Sequence, residues 1–151
     1  ISEIGLQHCA TKMMPKGTTL LAITGATLGK ISRLEIEACG NQSIVGIIGI
    51  EDIPSDYIYL WMQNTISDLL ARQTGAAQQH INKNDVNEHF IVLPTIQIMK
   101  RLSSIVAPVF KQISQSCFQQ HTLATLRDSL LPQLLSGDLR IEQAEKMMGE
   151  A

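Results

Sequence analysis

The sequence predicts an α+β fold, in which a mixed α/β module is followed by one long helix. Short segments rich in β-branched and apolar residues, separated by turns that contain glycine and proline, occupy the first third of the chain. Apolar residues then recur at helical spacing after Pro54, and again from Thr95 onward. We therefore expect three regions, namely residues 1–94, residues 95–136 and a tail at residues 137–151.

Four segments of the first region are predicted as strands. Residues 18–23 and residues 30–38 flank a tight connection that contains two glycines. Residues 43–50 form a continuous apolar run, which is typical of a strand buried on both faces. A last short strand is expected at residues 89–94, where a proline closes it.

Two helix starts are predicted between these strands and the long helix. Ser55 can cap the free amides of a helix that ends near Gly75, a natural helix terminator. Asn82, followed three residues later by Asp85, resembles a capping arrangement at the start of a second, short helix.

The chain is predicted to be helical from Thr95 onward. Pro108 lies inside the apolar pattern and is expected to kink the helix or to divide it. Ser136 and Gly137 then supply a helix stop. The near-heptad spacing of the apolar residues favours packing against another long helix as a coiled-coil-like pair. The residues expected to form this pairing seam are Leu102, Val109, Ile113, Leu123, Leu126 and Leu130.

The composition indicates a globular protein without a recognisable catalytic centre. Hydrophobic residues make up 44% of the 151 residues and charged residues 17%, which argues against disorder. No apolar run approaches the roughly 20 residues that a membrane span needs. The cysteines form no Cys-x-x-Cys pair, and no histidine has a neighbour at metal-ligand spacing. We therefore expect no catalytic residues, no metal and no cofactor in this chain.

The charge distribution is compatible with a local basic surface. The net charge of −2 does not by itself indicate a protein that binds polyanions. Residues 1–34, however, carry four lysines and arginines against the single acid Glu3. Residues 25–30 superficially resemble a phosphate-binding P-loop, but only three residues separate the two glycines and Ile31 follows the lysine. We therefore reject a nucleotide-binding loop.

Four motifs, in order along the chain, resemble those of one protein family. Residues 15–30 are similar to P-x-GT-x-LL-x-x-x-GAT-[IL]-GK, and residues 41–43 fit an NQ turn. Residues 75–86 are similar to G-x-x-Q-x-x-I-[NS]-x-x-D-L, with a closing Leu-Pro at residues 93–94. Residues 126–141 resemble LRD-x-LLP-x-LLSG-x-[IL]-x-[IV]. Together these motifs resemble the DNA specificity subunit of type I restriction-modification systems.

This resemblance implies the C-terminal part of a specificity subunit. It implies a partial target recognition domain at residues 1–94, because further strands precede the corresponding segment in the family, and a spacer helix region at residues 95–136. The full subunit carries two such domains, which are held apart by paired antiparallel helices and each read one half of a split DNA target. The implied partners are double-stranded DNA and the modification and restriction subunits, which carry out the catalysis. A cytoplasmic location without membrane association is expected.

Polar residues of the first region are the candidates for DNA contact. Lysines suit phosphates, glutamine can pair with adenine edges, and threonine can contact a base or the thymine methyl group. For each residue the alternative is a solvated loop side chain. The candidates are Lys12, Lys16, Thr24, Lys30, Gln78, Gln79, His80 and Lys83.

A second interpretation of the whole chain stays open. The chain could be a truncated, self-associating helical fragment with little or no DNA binding of its own. In that case two copies would form a homodimer through the seam of the long helix.

Overall fold

The computed structural model describes residues 2–71 and 80–141. It divides into two compact units, residues 1–107 and residues 108–151. Strands and helices both occur in the first unit and a long helix follows, so the prediction of an α+β fold is confirmed. The elements are α1 (Glu3–Gln7), β1 (Met13–Met14), β2 (Thr19–Ala22), a 3-10 turn (Gly25–Thr27), β3 (Ile31–Arg33), β4 (Ala38–Cys39), β5 (Ile44–Ile47), α2 (Ser55–Ala71), α3 (Lys83–Asn87) and α4 (Ile96–Ser136).

A three-stranded antiparallel sheet organises the first unit, with β2 between β3 and β5. Leu21 of β2 stands opposite Ile31 on one side and Val45 on the other. A second, two-stranded ladder pairs β1 with β4, with Met13 opposite Cys39. The predicted strand at residues 18–23 is therefore the centre of the larger sheet, where both of its edges are hydrogen-bonded.

The core lies between this central strand, α2 and α3. Leu21 is fully buried, and Met62 and Leu69 from α2 are buried in the same cluster. Ile81 and Val86 complete the cluster from the segment that contains α3. Burial of such side chains contributes about 1.5 to 3 kcal/mol each, so this cluster fixes α2 and α3 against the sheet.

Two strand predictions need correction in extent and burial. Residues 30–38 form two strands, β3 and β4, that belong to different sheets and are separated by a bend. Residues 43–50 form β5 over only four residues, all half-buried, and Ile48 and Ile50 beyond it are exposed. The run is apolar, but β5 is an edge strand, because only β2 pairs with it in the described sheet.

The predicted strand at residues 89–94 is wrong. These residues are irregular, and Phe90 and Val92 are 87% and 78% exposed. The Tyr57 hydroxyl of α2 donates a hydrogen bond to the Val92 carbonyl, a side-chain contact in place of a strand ladder. Local β propensity does not produce a strand here, because none of the described strands pairs with this segment.

The two predicted helix starts are confirmed. Ser55 is the first residue of α2, which confirms the position of the start, while the capping role of the Ser55 side chain stays a prediction. The predicted end of α2 near Gly75 lies outside the described residues. At α3 the Asn82 Oδ1 accepts from the Asn84 amide at 3.1 Å, and the Asp85 carboxylate accepts from the Asn82 amide at 3.0 Å. This reciprocal arrangement is the predicted capping box.

The long helix is one continuous element, so of the two alternatives predicted at Pro108 the division is wrong, while the kink stays a prediction. α4 includes both Pro108 and Pro132 within its 41 residues, although each proline removes one backbone donor. Its end is the predicted one: Gly137 has a φ of 79°, and its amide donates to the Leu134 carbonyl at 3.3 Å. A left-handed residue just after the last turn is the common way for a helix to end.

Candidate functional site

Three chain segments meet where the central strand β2 ends. The Ile23 amide donates to the Ser43 carbonyl at 2.9 Å, and the Ile81 amide donates to the Ile23 carbonyl at 3.0 Å. Ile23 is thereby bracketed by the start of β5 on one side and by the segment before α3 on the other. We call this place the loop end of the sheet, formed by residues 23–30, 41–43 and 80–83.

The connection from β2 to β3 also belongs to the loop end. The Gly29 amide donates to the Ala22 carbonyl at 2.8 Å, and the Ala22 amide donates to the Lys30 carbonyl at 3.0 Å. Gly25 and Gly29 both have positive φ values, so the predicted glycine-bearing connection is confirmed. It places the exposed Lys30 at the edge of the loop end.

A cavity of about 640 Å³ lies beside the loop end and is lined by polar residues from three segments. Lys12 comes from the segment before β1, Asn41 and Gln42 from the turn before β5, and Lys83 from the first turn of α3. We call this cavity the Lys12–Lys83 cleft. The structure therefore brings together two predicted DNA-contact residues that are 71 positions apart in the sequence.

The polar groups in the lining of the cleft are rich in hydrogen-bond donors. Two lysines line it, and no aspartate or glutamate does. Asn41 Oδ1 accepts from the Ser43 amide at 3.0 Å, which leaves the Asn41 amide nitrogen as the group available for donation. Thr11 Oγ1 donates to the Gly40 carbonyl at 2.9 Å and so fixes one wall. An arrangement of this kind favours an anionic ligand.

A glycine of β5 lines the cleft where side chains from two neighbouring segments crowd the strand. A Cβ added at Gly46 of β5 would overlap Met14 Sδ and would lie 3.2 Å from Thr18 Cγ2. Glycine at this position therefore leaves room for the Met14 side chain to lie against β5. The glycine in the middle of a strand is explained by this close approach.

Buried contacts position Lys83. Ile81, 1% exposed, packs in the core directly before the capping residue Asn82. Val86, one turn after Lys83, is buried in the same cluster. The lysine itself is exposed, so α3 is held from its buried side and presents Lys83 at the cleft.

Lys16 lies apart from the other candidates, at the opposite end of β2. Its Nζ is 3.7 Å from the Glu35 carboxylate. Glu35 also pairs with Arg33 at 2.8 Å, and Arg33 reaches Asp56 at the start of α2 at 3.3 Å. These four residues form an ion-pair network that joins β3 to α2, and Lys16 shares its charge with that network.

The remaining DNA-contact candidates differ in exposure. His80 is exposed, while Thr24 is half-buried and makes no capping hydrogen bond to the 3-10 turn that follows it. Gln78 and Gln79 lie outside the described residues. Sequence reasoning missed Asn41 and Gln42 as candidate contacts, although the NQ turn that contains them was recognised as a family motif.

A smaller, mostly apolar cavity of about 340 Å³ lies elsewhere in the first unit. Trp61 of α2 and Ile47 of β5 line it, and Lys83 lies at its border with the polar cleft. The Trp61 ring also packs against the His89 ring at a centroid distance of 5.2 Å. Together with the fully buried Met62, these contacts place this face of α2 in the core.

The predicted pairing seam on α4 is largely open to solvent. Val109, Ile113 and Leu123 are 53%, 48% and 65% exposed, and Leu102, Leu126 and Leu130 are half-buried. Exposed apolar side chains at near-heptad spacing are compatible with a helix that packs against a partner. Pairing itself stays a prediction, since the structure contains one chain.

The described part of the chain offers no sign of metal chemistry or of a membrane span. Among residues 2–71 and 80–141, no three His, Cys, Asp or Glu side chains cluster as metal ligands would. Over the same residues, none of the helices combines the length and the apolar character that crossing a membrane requires.

Comparison with known proteins supports the resemblance found in the motifs. Residues 1–117 match the family described as type I restriction modification DNA specificity domain. The HindI specificity subunit of Haemophilus influenzae is 24% identical over 144 residues, which cover 92% of this chain and 31% of that protein. The EcoR124I/EcoR124II specificity subunit of Escherichia coli is 26% identical over 111 residues, 70% of this chain and 28% of that protein.

A third relative matches a shorter part of the chain. The MjaIX specificity subunit of Methanocaldococcus jannaschii is 28% identical over 87 residues, 58% of this chain and 20% of that protein. The chain therefore spans between 20% and 31% of the length of these three relatives. The resemblance to this family is therefore confirmed over residues 1–117.

Proposed function

Because the chain belongs to the family of type I restriction-modification DNA specificity domains, we propose that it recognises a DNA sequence as part of a type I complex. The observation that carries the proposal is the loop end of the sheet. Lys30, Thr24 and His80 meet there through the hydrogen bonds of Ile23 and Ala22, next to the Lys12–Lys83 cleft. Loops positioned by a rigid sheet are where binding residues are concentrated in proteins.

The proposed division of labour within the loop end follows the chemistry of the side chains. Exposed lysines supply contacts to phosphates that set affinity and orientation without reading sequence. Thr24 and His80 supply polar groups suited to base edges, and the sequence alone adds Gln78 and Gln79 as candidates for the same role. Lys16 contributes less to DNA binding under this proposal, because Glu35 lies 3.7 Å from its ammonium group.

Measurement of DNA binding as a function of salt tests this proposal. The 151-residue chain would be titrated into labelled duplexes taken from a random library after rounds of selection, and into scrambled duplexes of the same composition. We expect selected sequences to bind more tightly, and the logarithm of the affinity to fall linearly with the logarithm of the salt concentration. Absence of binding to every duplex at low salt would contradict DNA recognition by this chain.

A variant pair makes the same experiment specific to the loop end. Lys30→Ala should weaken binding to both duplexes, because it removes one positive charge from the proposed surface. Lys111→Ala removes the same charge from an exposed position on α4 and should leave binding nearly unchanged. Equal losses of DNA affinity in the two variants would mean that only the net charge matters. The loop end would then not be the DNA-binding surface.

We propose that α4 acts as the spacer of the complex. Its exposed apolar seam would pack against an antiparallel helix and so hold this domain at a fixed distance from a second recognition domain on a bipartite target. The modification and restriction subunits would assemble on this frame in the cytoplasm and supply all catalysis. The chain itself would act without catalytic residues, metal or cofactor.

The second candidate function is self-association through the same seam. It is favoured by the exposure of Val109, Ile113 and Leu123 in a single chain. Sedimentation equilibrium would show a dimer of the wild type, and Leu123→Glu with Leu130→Glu should convert it to a monomer, because two carboxylates would be buried in the interface. A wild type that is monomeric at every concentration would exclude the homodimer.

A control on the other side of the helix separates seam contacts from general effects of added charge. Thr125 lies about 200° around the helix from Leu123, at 100° per residue. Thr125→Glu should therefore leave the dimer intact. Dissociation of this variant as well would mean that added charge, and not the seam, governs assembly.

A further inference from the structure

We propose that the Lys12–Lys83 cleft receives the sugar-phosphate backbone of DNA, so that the Asn41–Gln42 turn positions the duplex and does not read bases. This inference rests on the proposed DNA recognition and adds to it a specific subsite and the kind of contact made there.

The composition of the lining is the first argument. Lys12 and Lys83 supply two ammonium groups from opposite segments, and no carboxylate lines the cavity. Asn41 contributes the two donors of its amide nitrogen, and its oxygen is already engaged in one hydrogen bond from the Ser43 amide. A phosphodiester offers acceptor oxygens and a negative charge but no donor, which matches such a lining. A base edge presents donors and acceptors together and would call for a more even mixture.

The concave shape of the cleft is the second argument. Base edges lie at the floor of a groove that is about 8.5 Å deep, so side chains that read them project outward from an element that enters the groove. The residues of the cleft instead surround a cavity of about 640 Å³ whose lining includes Gly40 and Gly46. The convex part of a duplex that fits into a recess is its backbone.

The fixed geometry of the walls is the third argument. The Asn41 turn is closed by its contact with Ser43, and the segment of Lys12 is tied to the turn through the bond from Thr11 to the Gly40 carbonyl. Lys83 directly follows Asn82, the capping residue of α3. The segments that carry the donors are therefore held in place before the ligand arrives, which lowers the entropic cost of binding.

The test uses substitutions within the cleft, with the selected and the scrambled duplex as probes. Lys12→Ala and Lys83→Ala should each reduce the slope of log affinity against log salt by about 0.9, and the ratio of the two affinities should not change. Gln42→Glu should weaken binding to both duplexes more than Gln42→Ala does. Glutamate has nearly the same shape as glutamine, but it places a negative charge beside a phosphate. Circular dichroism would verify that these exposed substitutions leave the fold intact.

Matched controls come from exposed positions on α4. Lys111→Ala and Gln112→Glu make the same changes of charge at exposed positions that do not line the cleft, and should alter neither duplex affinity nor salt slope by a comparable amount. If Gln42→Ala abolishes the preference for the selected duplex while the salt slope stays constant, the turn reads bases and the inference is wrong.

Two further outcomes distinguish this inference from the proposed function. If the wild type binds the selected duplex and the cleft variants match their controls, the cleft is excluded as a backbone site while DNA recognition stands. If the wild type binds neither duplex, both the function proposed for this chain and the role of the cleft are overturned.

Discussion

Two adjacent threonines at the start of the central strand have opposite energetic roles. Thr18 and Thr19 are both buried, at 1% and 0% exposure. Thr18 Oγ1 donates to the Pro15 carbonyl at 2.7 Å, whereas Thr19 Oγ1 has no hydrogen-bond partner among the described residues. A buried hydroxyl without a partner loses its hydration and gains nothing in return.

Replacing each threonine by valine should therefore move stability in opposite directions. Thr19→Val should raise the free energy of unfolding by about 1 kcal/mol, because it removes an unsatisfied hydroxyl at nearly constant shape. Thr18→Val should lower it by about 1 kcal/mol, because it breaks a formed hydrogen bond. Urea denaturation measures both. A loss of stability in Thr19→Val would show that its hydroxyl is satisfied, for example by water.

The two glycines of the connection between β2 and β3 offer a second comparison at the residue scale. Both have a positive φ, 74° at Gly25 and 78° at Gly29, but their surroundings differ. A Cβ at Gly25 would meet nothing within 4 Å, whereas one at Gly29 would lie 2.9 Å from Leu70 Cδ1. The first position therefore needs glycine for its backbone alone, and the second also needs space.

Alanine at these positions should separate the two requirements. Gly25→Ala should cost about 1 to 2 kcal/mol of stability, the penalty of a left-handed conformation for a residue with a side chain. Gly29→Ala should cost about 1 kcal/mol more, because Leu70 must also shift. Thermal and urea denaturation of both variants would measure the difference. Equal costs would mean that Leu70 accommodates the methyl group freely.

At the scale of elements, the capped helix α3 connects the core to the cleft. Asn82→Ala should lower stability by about 1 kcal/mol through loss of the cap. It should also weaken DNA binding, because Lys83 would no longer be held at the cleft. Asn82→Ser keeps a capping oxygen and should retain both properties. Loss of stability without loss of DNA binding would show that the position of Lys83 does not depend on the cap.

The elements also show which structures local sequence can predict. The capping box at Asn82 was predictable because its residues lie within four positions, and the end of α4 because Gly137 follows the last apolar turn. The strand expected at residues 89–94 was wrong because a strand requires a neighbour that propensity does not reveal. That α4 runs through Pro108 without a break could not be predicted from the spacing of its apolar residues either.

The candidate site was predicted only in part, for the same physical reason. Lys12 and Lys83 were chosen one by one for their charge, and only the fold shows that they line one cavity. Asn41 and Gln42 escaped selection because a short polar turn looks like a solvated connection in the sequence. Their place in the cleft depends on the pairing of β1 with β4 and of β5 with β2.

At the scale of the whole first unit, the two ends of the sheet differ in charge. The loop end carries Lys30 and lies beside the Lys12–Lys83 cleft. At the opposite end, the network of Lys16, Arg33, Glu35 and Asp56 balances its own charges. The exposed Glu51 and Asp52, between β5 and α2, add two negative charges to that end. The net charge of −2 therefore conceals an uneven distribution, in which the basic end is the one proposed to face DNA.

This asymmetry predicts how distant charge affects association with DNA. Glu51→Gln with Asp52→Asn changes the net charge from −2 to 0 without touching the loop end. At low ionic strength, where screening extends over about 30 Å at 0.01 M, the association rate should rise several-fold because long-range repulsion is relieved. At 0.15 M, with a screening length of about 8 Å, the effect should disappear, and the preference for the selected duplex should be unchanged throughout. Stopped-flow fluorescence measures the association rate at both salt concentrations. An increase that persists at high salt would place these two acids in direct contact with the DNA, and the duplex would then have to approach the sheet from its acidic end.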